Sequence, residues 1–185
     1  MHSFQWIQGA LGIIVALGMT RVIASAVHMC IMRQQVRLDW IPFVWALSIF
    51  LLLLQFSWVF VELEGLVPKW TFGVFLLLLG FVLTLFIAAA LVLPTSEAQA
   101  EGDMKIWYQK NGRWAMPFLA LYAFLAYPFN WLLSHQPPTA NPASAILIAL
   151  SLTALWTKSR KVLAFVTVLD LLLIAGIVAE MVLAG

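Results

Sequence analysis

The sequence predicts an all-α protein, a polytopic membrane bundle of six transmembrane helices. Both termini are predicted outside (N-out/C-out), with a short interfacial helix in the third loop. Three observations carry this prediction. Of the 185 residues, 64% are hydrophobic and only 10% are charged, whereas a soluble domain is about 45–50% apolar and ~25% charged. Six apolar segments follow one another, and basic residues cluster in every second connection. This composition excludes a soluble enzyme, a disordered protein and a disulfide scaffold, and it predicts one transmembrane domain over residues 1–185.

The lengths of the apolar segments support six crossings. An α-helix rises 1.5 Å per residue, so about 20 residues cross a bilayer. Five segments reach that length, and the fifth in chain order is shorter. We count it as a crossing because Lys158, Arg160 and Lys161 would otherwise face away from the other basic loops. The predicted crossings cover residues 4–30, 40–61, 70–93, 114–133, 142–156 and 162–183.

The basic residues set the predicted orientation. Eight of the ten fall in the first, third and fifth connections: Arg33, Arg37, Lys105, Lys110, Arg113, Lys158, Arg160 and Lys161. Short loops rich in Lys and Arg stay in the cytoplasm. The sequence therefore predicts a multi-pass protein of the bacterial inner (plasma) membrane, with membrane lipid around it. Eight of the nine tryptophans also fall near predicted helix ends, where indole rings meet the lipid headgroups.

Individual residues mark where the helices begin and end. Asp39 is a predicted N-cap for the second helix, and Pro42 falls in its first turn, where a missing N–H costs little. Pro94 ends the third helix, and Pro128 predicts a kink in the fourth. Residues 96–113 carry acidic residues first and aromatic residues later, which predicts a short helix lying on the cytoplasmic membrane surface.

One run of residues resembles a known pattern. Val36-Arg37-Leu38-Asp39-Trp40-Ile41-Pro42-Phe43-Val44-Trp45-Ala46 is followed by Gln55-Phe56-Ser57-Trp58. The pattern resembles one that recurs in uncharacterised small bacterial inner-membrane proteins with six predicted helices, over about residues 8–90. That resemblance implies a multi-helix membrane fold and carries no activity to this chain.

Two ionisable residues lie deep within predicted helices, Arg21 in the first and Asp170 in the sixth. A charged side chain costs about 2.5–3.5 kcal/mol at the centre of a membrane helix on insertion scales, so it faces protein, water or a partner. One interpretation is a buried ion pair that joins helices 1 and 6. The other is a pair of groups lining a path for an ion or a substrate.

Two further sets of polar residues are candidates for that path. Ser25 and His28 follow Arg21 by four and seven residues, so the three side chains share one face of the helix. Gln55, Glu62 and Asn130 map to the outer half of the bundle. They either line an outer vestibule or form hydrogen bonds between helices.

Several chemistries find no support in the sequence. No pair of histidines falls within the helices to hold a haem, and no His, Glu or Cys cluster has the spacing of metal ligands. No hydrolase or phosphate-loop motif is present, and no lysine lies in mid-helix for a retinal. We therefore predict no catalytic residues, no metal and no cofactor. The net charge of +2 gives no reason to expect a nucleic-acid partner.

Three functions are compatible with these features. The first is a non-enzymatic membrane protein that forms a homo-oligomer or a subunit of a larger membrane complex and offers a small pore or transport path. The second is a compact proton- or ion-coupled transporter that uses Asp170 and His28. The third is a lipid-modifying membrane enzyme with its site at the cytoplasmic face. The small residues opposite the Arg21 stripe, Gly9, Gly12, Ala16 and Thr20, suit close helix packing.

Overall fold

The computed structural model describes residues 2–66, 71–96, 102–134 and 141–184, and within these ranges it contains helices and no β-strand. Two 3-10 turns, Met32–Gln34 and Gly112–Trp114, complete the regular structure. Each apolar segment predicted from the sequence is helical. The seven α-helices are α1 (His2–Ile31), α2 (Trp40–Leu66), α3 (Phe72–Val92), α4 (Met104–Lys110), α5 (Ala115–Ser134), α6 (Pro142–Trp156) and α7 (Arg160–Ala184).

The helices have the length and composition of a membrane protein. Within the described ranges, four stretches are long and apolar enough to cross a bilayer: Trp6–Gln34, Trp40–Val59, Phe72–Val92 and Arg160–Leu183. α6 is apolar but shorter, with 15 residues. Its first turn is set by Asn141, whose Oδ1 accepts a hydrogen bond from the Ser144 N–H at 3.3 Å. This is the N-cap arrangement that starts many helices.

Five helices form a closed ring. α2 packs against α3 and α7, α7 against α6, α6 against α5, and α5 against α3. α1 lies outside the ring, against α2 and α3. The approach of α1 to the ring is close at Gly18, where a Cβ atom would lie 3.1 Å from Cδ1 of Leu53. The ring arrangement decides which polar side chains can meet.

Three connections meet at one end of this ring, and we call that end the basic end. They are the connection after α1, the connection from α3 to α5, and the connection from α6 to α7. The Arg37 N–H donates to the Gly102 carbonyl at 3.0 Å, and the Met104 N–H donates to the Arg37 carbonyl at 3.1 Å. The Arg113 guanidinium donates to the Thr157 carbonyl at 2.8 Å. The three basic loops of the sequence are thus linked directly to one another.

A bidentate ion pair joins the starts of α2 and α7 at the basic end. Nη1 and Nη2 of Arg160 lie 2.8 and 2.9 Å from the two carboxylate oxygens of Asp39. Oδ1 of Asp39 also accepts from the Ile41 N–H at 3.4 Å, which confirms its predicted role as an N-cap. Burial of Asp39 acts to raise its pKa, but the hydrogen bonds and charge of Arg160 outweigh burial and hold that pKa below the ordinary value.

Helix α4 lies within the segment of residues 96–113, which the sequence predicts as a short interfacial helix. In the described part of this segment, residues 96 and 102–113, the α-helix runs from Met104 to Lys110. Met104, Trp107 and Tyr108 are buried within the protein. Gly112 allows this docking, because a Cβ atom there would lie 2.5 Å from the Tyr108 ring. The backbone pairing of Arg37 with Gly102 and Met104 holds α4 against the bundle.

The tryptophans divide into two groups. Six of the described ones are exposed on the helix surface, as expected for rings that face lipid headgroups: Trp6, Trp40, Trp58, Trp114, Trp131 and Trp156. Trp45 and Trp107 are buried. Trp107 was expected at the inner interface, and the docking of α4 instead places it in the protein core. Trp70 lies outside the described residues.

Candidate functional site

Asp170 is a fully buried acidic residue in the interior of the ring. Its side chain is 0% exposed, and in the described part of the chain no protein group forms a hydrogen bond to either carboxylate oxygen. The Ser48 hydroxyl of α2 lies beside the carboxylate, yet no contact with hydrogen-bond geometry joins the two groups. A buried carboxyl group without a partner costs free energy. The position of Asp170 therefore indicates a function.

The ion pair predicted between Arg21 and Asp170 is wrong. Neither carboxylate oxygen of Asp170 has a partner among the described residues, and Arg21 is half-buried on α1. The physical reason is the helix order, since α1 packs against α2 and α3 whereas Asp170 belongs to α7 on the far side of α2. The two charges therefore need separate explanations, and Asp170 is the one inside the ring.

Ser25 and His28 lie on α1 and are likewise separated from Asp170. Ser25 is buried, and His28 is half-buried with its Nε2 atom enclosed and without a hydrogen-bond partner among the described residues. Both lie on α1, which packs against α2 and α3 from outside the ring. The structure thus does not bring His28 together with Asp170 in a single site.

A cavity of about 340 Å³ occupies the half of the ring away from the basic end. Each of the five ring helices contributes to its wall. Gln55 and Asn130, two of the three candidates for an outer polar cluster, both line it. The side chain of the third, Glu62, lies outside the described residues. The volume falls at the lower end of the range for small-molecule sites.

Sequence analysis missed Glu180, which also lines this cavity. Its signal in the sequence is a second carboxylate on α7, the helix that carries Asp170. The aromatic part of the wall was missed as well. The ring of Phe81 lies 5.7 Å from Phe56 in a stacked pair, and 4.9 and 5.3 Å from Tyr122 and Phe129 in edge-to-face pairs, measured between ring centroids.

Polar side chains continue from the cavity towards the basic end. Ser48 stands seven residues before Gln55 on α2, and Asp170 stands seven residues before the cavity-lining Ile177 on α7. Residues seven apart share a helix face and are separated by about 10 Å along the axis. Ser151 stands seven residues after the cavity-lining Ser144 on α6, which runs towards the basic end. The hydroxyls of Ser48 and Ser151 are buried and lack a hydrogen-bond partner among the described residues.

Tyr108 of α4 lies between this buried polar group and the basic end. It is 1% exposed, and its hydroxyl has no partner in the described ranges. Burial raises its pKa well above the ordinary value, the charge of Arg113 opposes that effect, and the charges of Asp170 and Asp39 add to it. Tyr108 is therefore close enough to all three charged groups to respond to them.

A second cavity of about 610 Å³ lies between α2 and α7 and is lined mainly by apolar side chains, among them Trp58, Met181 and Val182. Gln55 borders both cavities.

In the described ranges, no three His, Cys, Asp or Glu side chains are grouped as metal ligands. Comparison of the chain with protein-family models, curated proteins and solved structures finds no match. The resemblance to small bacterial inner-membrane proteins stays a prediction, and function is argued from the site alone.

Proposed function

We propose that this protein is a compact proton-coupled membrane transporter that uses Asp170 as its proton-binding group. The observation that carries the proposal is the fully buried Asp170 carboxyl, which lacks a hydrogen-bond partner among the described residues. Intramembrane carboxyl groups that face a bundle interior commonly mark proton relays in transporters. His28, which the sequence offered as a second relay group, has no part in this version because α1 lies outside the ring.

The proposed path runs along the shared helix faces. A solute enters the 340 Å³ cavity, whose inner wall includes Leu52 and Leu147. Asp170 lies about 10 Å further along α7 than Ile177. Because Asp170 is fully buried, it is sealed from the cavity as well as from the basic end. Movement of α7 against α2 would open it to each side in turn.

Proton movement in liposomes tests the proposal. The purified chain is reconstituted into vesicles that hold a pH-sensitive dye, and amines, amino acids, sugars and carboxylates are added outside in turn. We expect one solute class to change the internal pH with wild-type protein. Asp170→Asn keeps the size of the side chain but cannot exchange a proton, so its solute-dependent pH change is expected to be lost.

Asp103→Asn is the matched control for this experiment. Asp103 caps α4, with Oδ1 accepting from the Lys105 N–H at 2.8 Å, and asparagine caps helices as well as aspartate. This variant should therefore behave as the wild type. Equal proton movement by Asp170→Asn, or a pH trace that no solute class changes, would contradict the transporter.

We further propose six crossings, with the basic end in the cytoplasm of a bacterium and the protein in its inner membrane. The positive-inside rule supports this orientation, since the basic loops meet at one end. The exposed Cys30 is first replaced by serine. New cysteines at Gln109 and Ser159 should then resist a thiol reagent that cannot cross the membrane, while one at Thr139, outside the described residues, should react. Labelling of Ser159→Cys from outside would mean that α6 does not cross the membrane.

Self-association or a place in a larger complex remains a second candidate function, and one observation favours it. The small-residue face of α1 is uncovered, with Ala16 and Thr20 exposed and no atom within 4 Å of a Cβ placed at Gly9 or Gly12. Small residues let transmembrane helices approach closely. The lipid-modifying enzyme, which would use Asp170 and His28, gains no comparable support, because His28 lies on α1 outside the ring that holds Asp170.

A further inference from the structure

The described part of the wall of the 340 Å³ cavity carries one formal charge. Among the described residues that line it, Glu180 is the acidic residue, and neither lysine, arginine nor histidine is present. The remaining polar groups are amides and hydroxyls, including Gln55, Asn130 and Ser144. A ligand with a positive charge would meet an attractive charge there and no repulsive one.

One hydrogen-bond acceptor of the cavity is unused. Oε1 of Gln55 is enclosed and accepts no hydrogen bond from the described residues, although Gln55 lines the cavity. The Asn141 oxygen, by contrast, is already used to cap α6. A buried acceptor without a donor costs free energy, and a ligand with N–H groups would supply that donor once a rotation of the Gln55 side chain turns the enclosed oxygen towards the cavity.

The aromatic rings add a third, independent feature. Phe56, Phe81, Tyr122 and Phe129 come from α2, α3 and α5, and all four line the cavity. Phe81 lies within 6 Å of the other three ring centroids. Faces of aromatic rings attract cations, and their apolar surface accommodates a hydrocarbon or aromatic ligand body.

We infer that this cavity binds a small protonated amine with an apolar or aromatic body. Its ammonium group would contact Glu180 and donate to Gln55, while its body packs on the Phe81 cluster. A neutral alcohol of the same shape would lose the charge interaction, and a carboxylate would be repelled by Glu180. The claim that such an amine is the transported solute rests on the proposed function. The claim that the cavity binds the amine does not, since binding at equilibrium needs no gradient.

Calorimetric titration in lipid nanodiscs tests the site, with titrations into empty nanodiscs subtracted to remove partition into lipid. The three probes are 2-phenylethylamine, 2-phenylethanol and 3-phenylpropionate. We expect the amine to bind at least about tenfold more tightly than the alcohol, because cation–π contact and pairing with the Glu180 carboxylate each add to its affinity. The carboxylate should not bind measurably.

Glu180→Gln identifies the group responsible. Glu180 is exposed, so this change should leave the fold intact, and it should lower amine affinity towards that of the alcohol. Asp103→Asn, the same chemical change at the basic end, should leave amine affinity unchanged. Equal affinity for amine and alcohol, undiminished amine binding by Glu180→Gln, or no amine binding would each overturn the site. Amine binding without proton movement in liposomes would contradict the proposed transporter but not the proposed amine site.

Discussion

Replacing Arg160 with alanine is expected to lower the free energy of unfolding by about 2 kcal/mol, and this is the largest loss of stability we predict. The carboxylate of Asp39 is only 5% exposed, whereas the side chain of Arg160 is 44% exposed. Removal of the arginine leaves the buried Asp39 carboxylate without its partner. Such a loss typically costs about 3–5 kcal/mol when both partners of the pair are buried. The exposure of Arg160 reduces this value, because solvent already screens the pair.

Unfolding in mixed micelles of detergent and dodecyl sulfate measures the effect, with Lys161→Ala as control. Lys161 is an exposed neighbour on the same helix, and its loss should change stability little.

The pH dependence of this effect follows from the lowered pKa of Asp39. A carboxyl whose pKa is lower in the folded state stabilises the fold above its unfolded pKa, and that stabilisation is lost as pH falls through the folded value. The difference in the free energy of unfolding between wild type and Arg160→Ala should therefore be largest at neutral pH and should decrease below about pH 4. A gap that does not depend on pH would exclude the ion pair as its source.

Hydropathy and charge predicted the helices well because each is a local property. A run of about 20 apolar residues is helical in a membrane whatever its neighbours are. Asp39 was correctly predicted as an N-cap for the same reason, since capping depends on adjacent residues. Its bond to Arg160, 121 residues away, depends on the packing of α2 beside α7, which no local pattern encodes.

Helix order explains the part of the site that could not be predicted. Arg21 and Asp170 are an obvious pair in the sequence, since each is the lone charge of its kind in mid-helix. Only the ring shows that α2 separates them. The heptad from Ser48 to Gln55 was visible in the sequence, whereas its alignment with Asp170 needed the structure. Glu180 lies near a helix end, where a charged residue usually faces solvent, and so its carboxylate did not single it out in the sequence.

Replacing Asp170 with valine is expected to raise the free energy of unfolding by about 1–2 kcal/mol while proton movement is lost. Asp170 is fully buried, and its oxygens have no partner among the described residues. An unpaired buried polar group costs about 1–3 kcal/mol, which an apolar side chain of similar size avoids. Were Asp170 paired with Arg21, the same change would instead lower stability, so the sign of the effect separates the two arrangements.

Asp39→Val is the matched control, because it makes the same substitution at a second buried aspartate. There it removes an N-cap and a bidentate partner of Arg160, so stability should fall. Opposite signs at the two positions, measured by unfolding in the same mixed micelles, would mark Asp170 as a residue kept at a cost in stability. Such a cost is usual for a group retained for function rather than for folding. A loss of stability at both positions would instead mean that Asp170 has a stabilising partner in the membrane, and the argument for a proton-binding group would lose its basis.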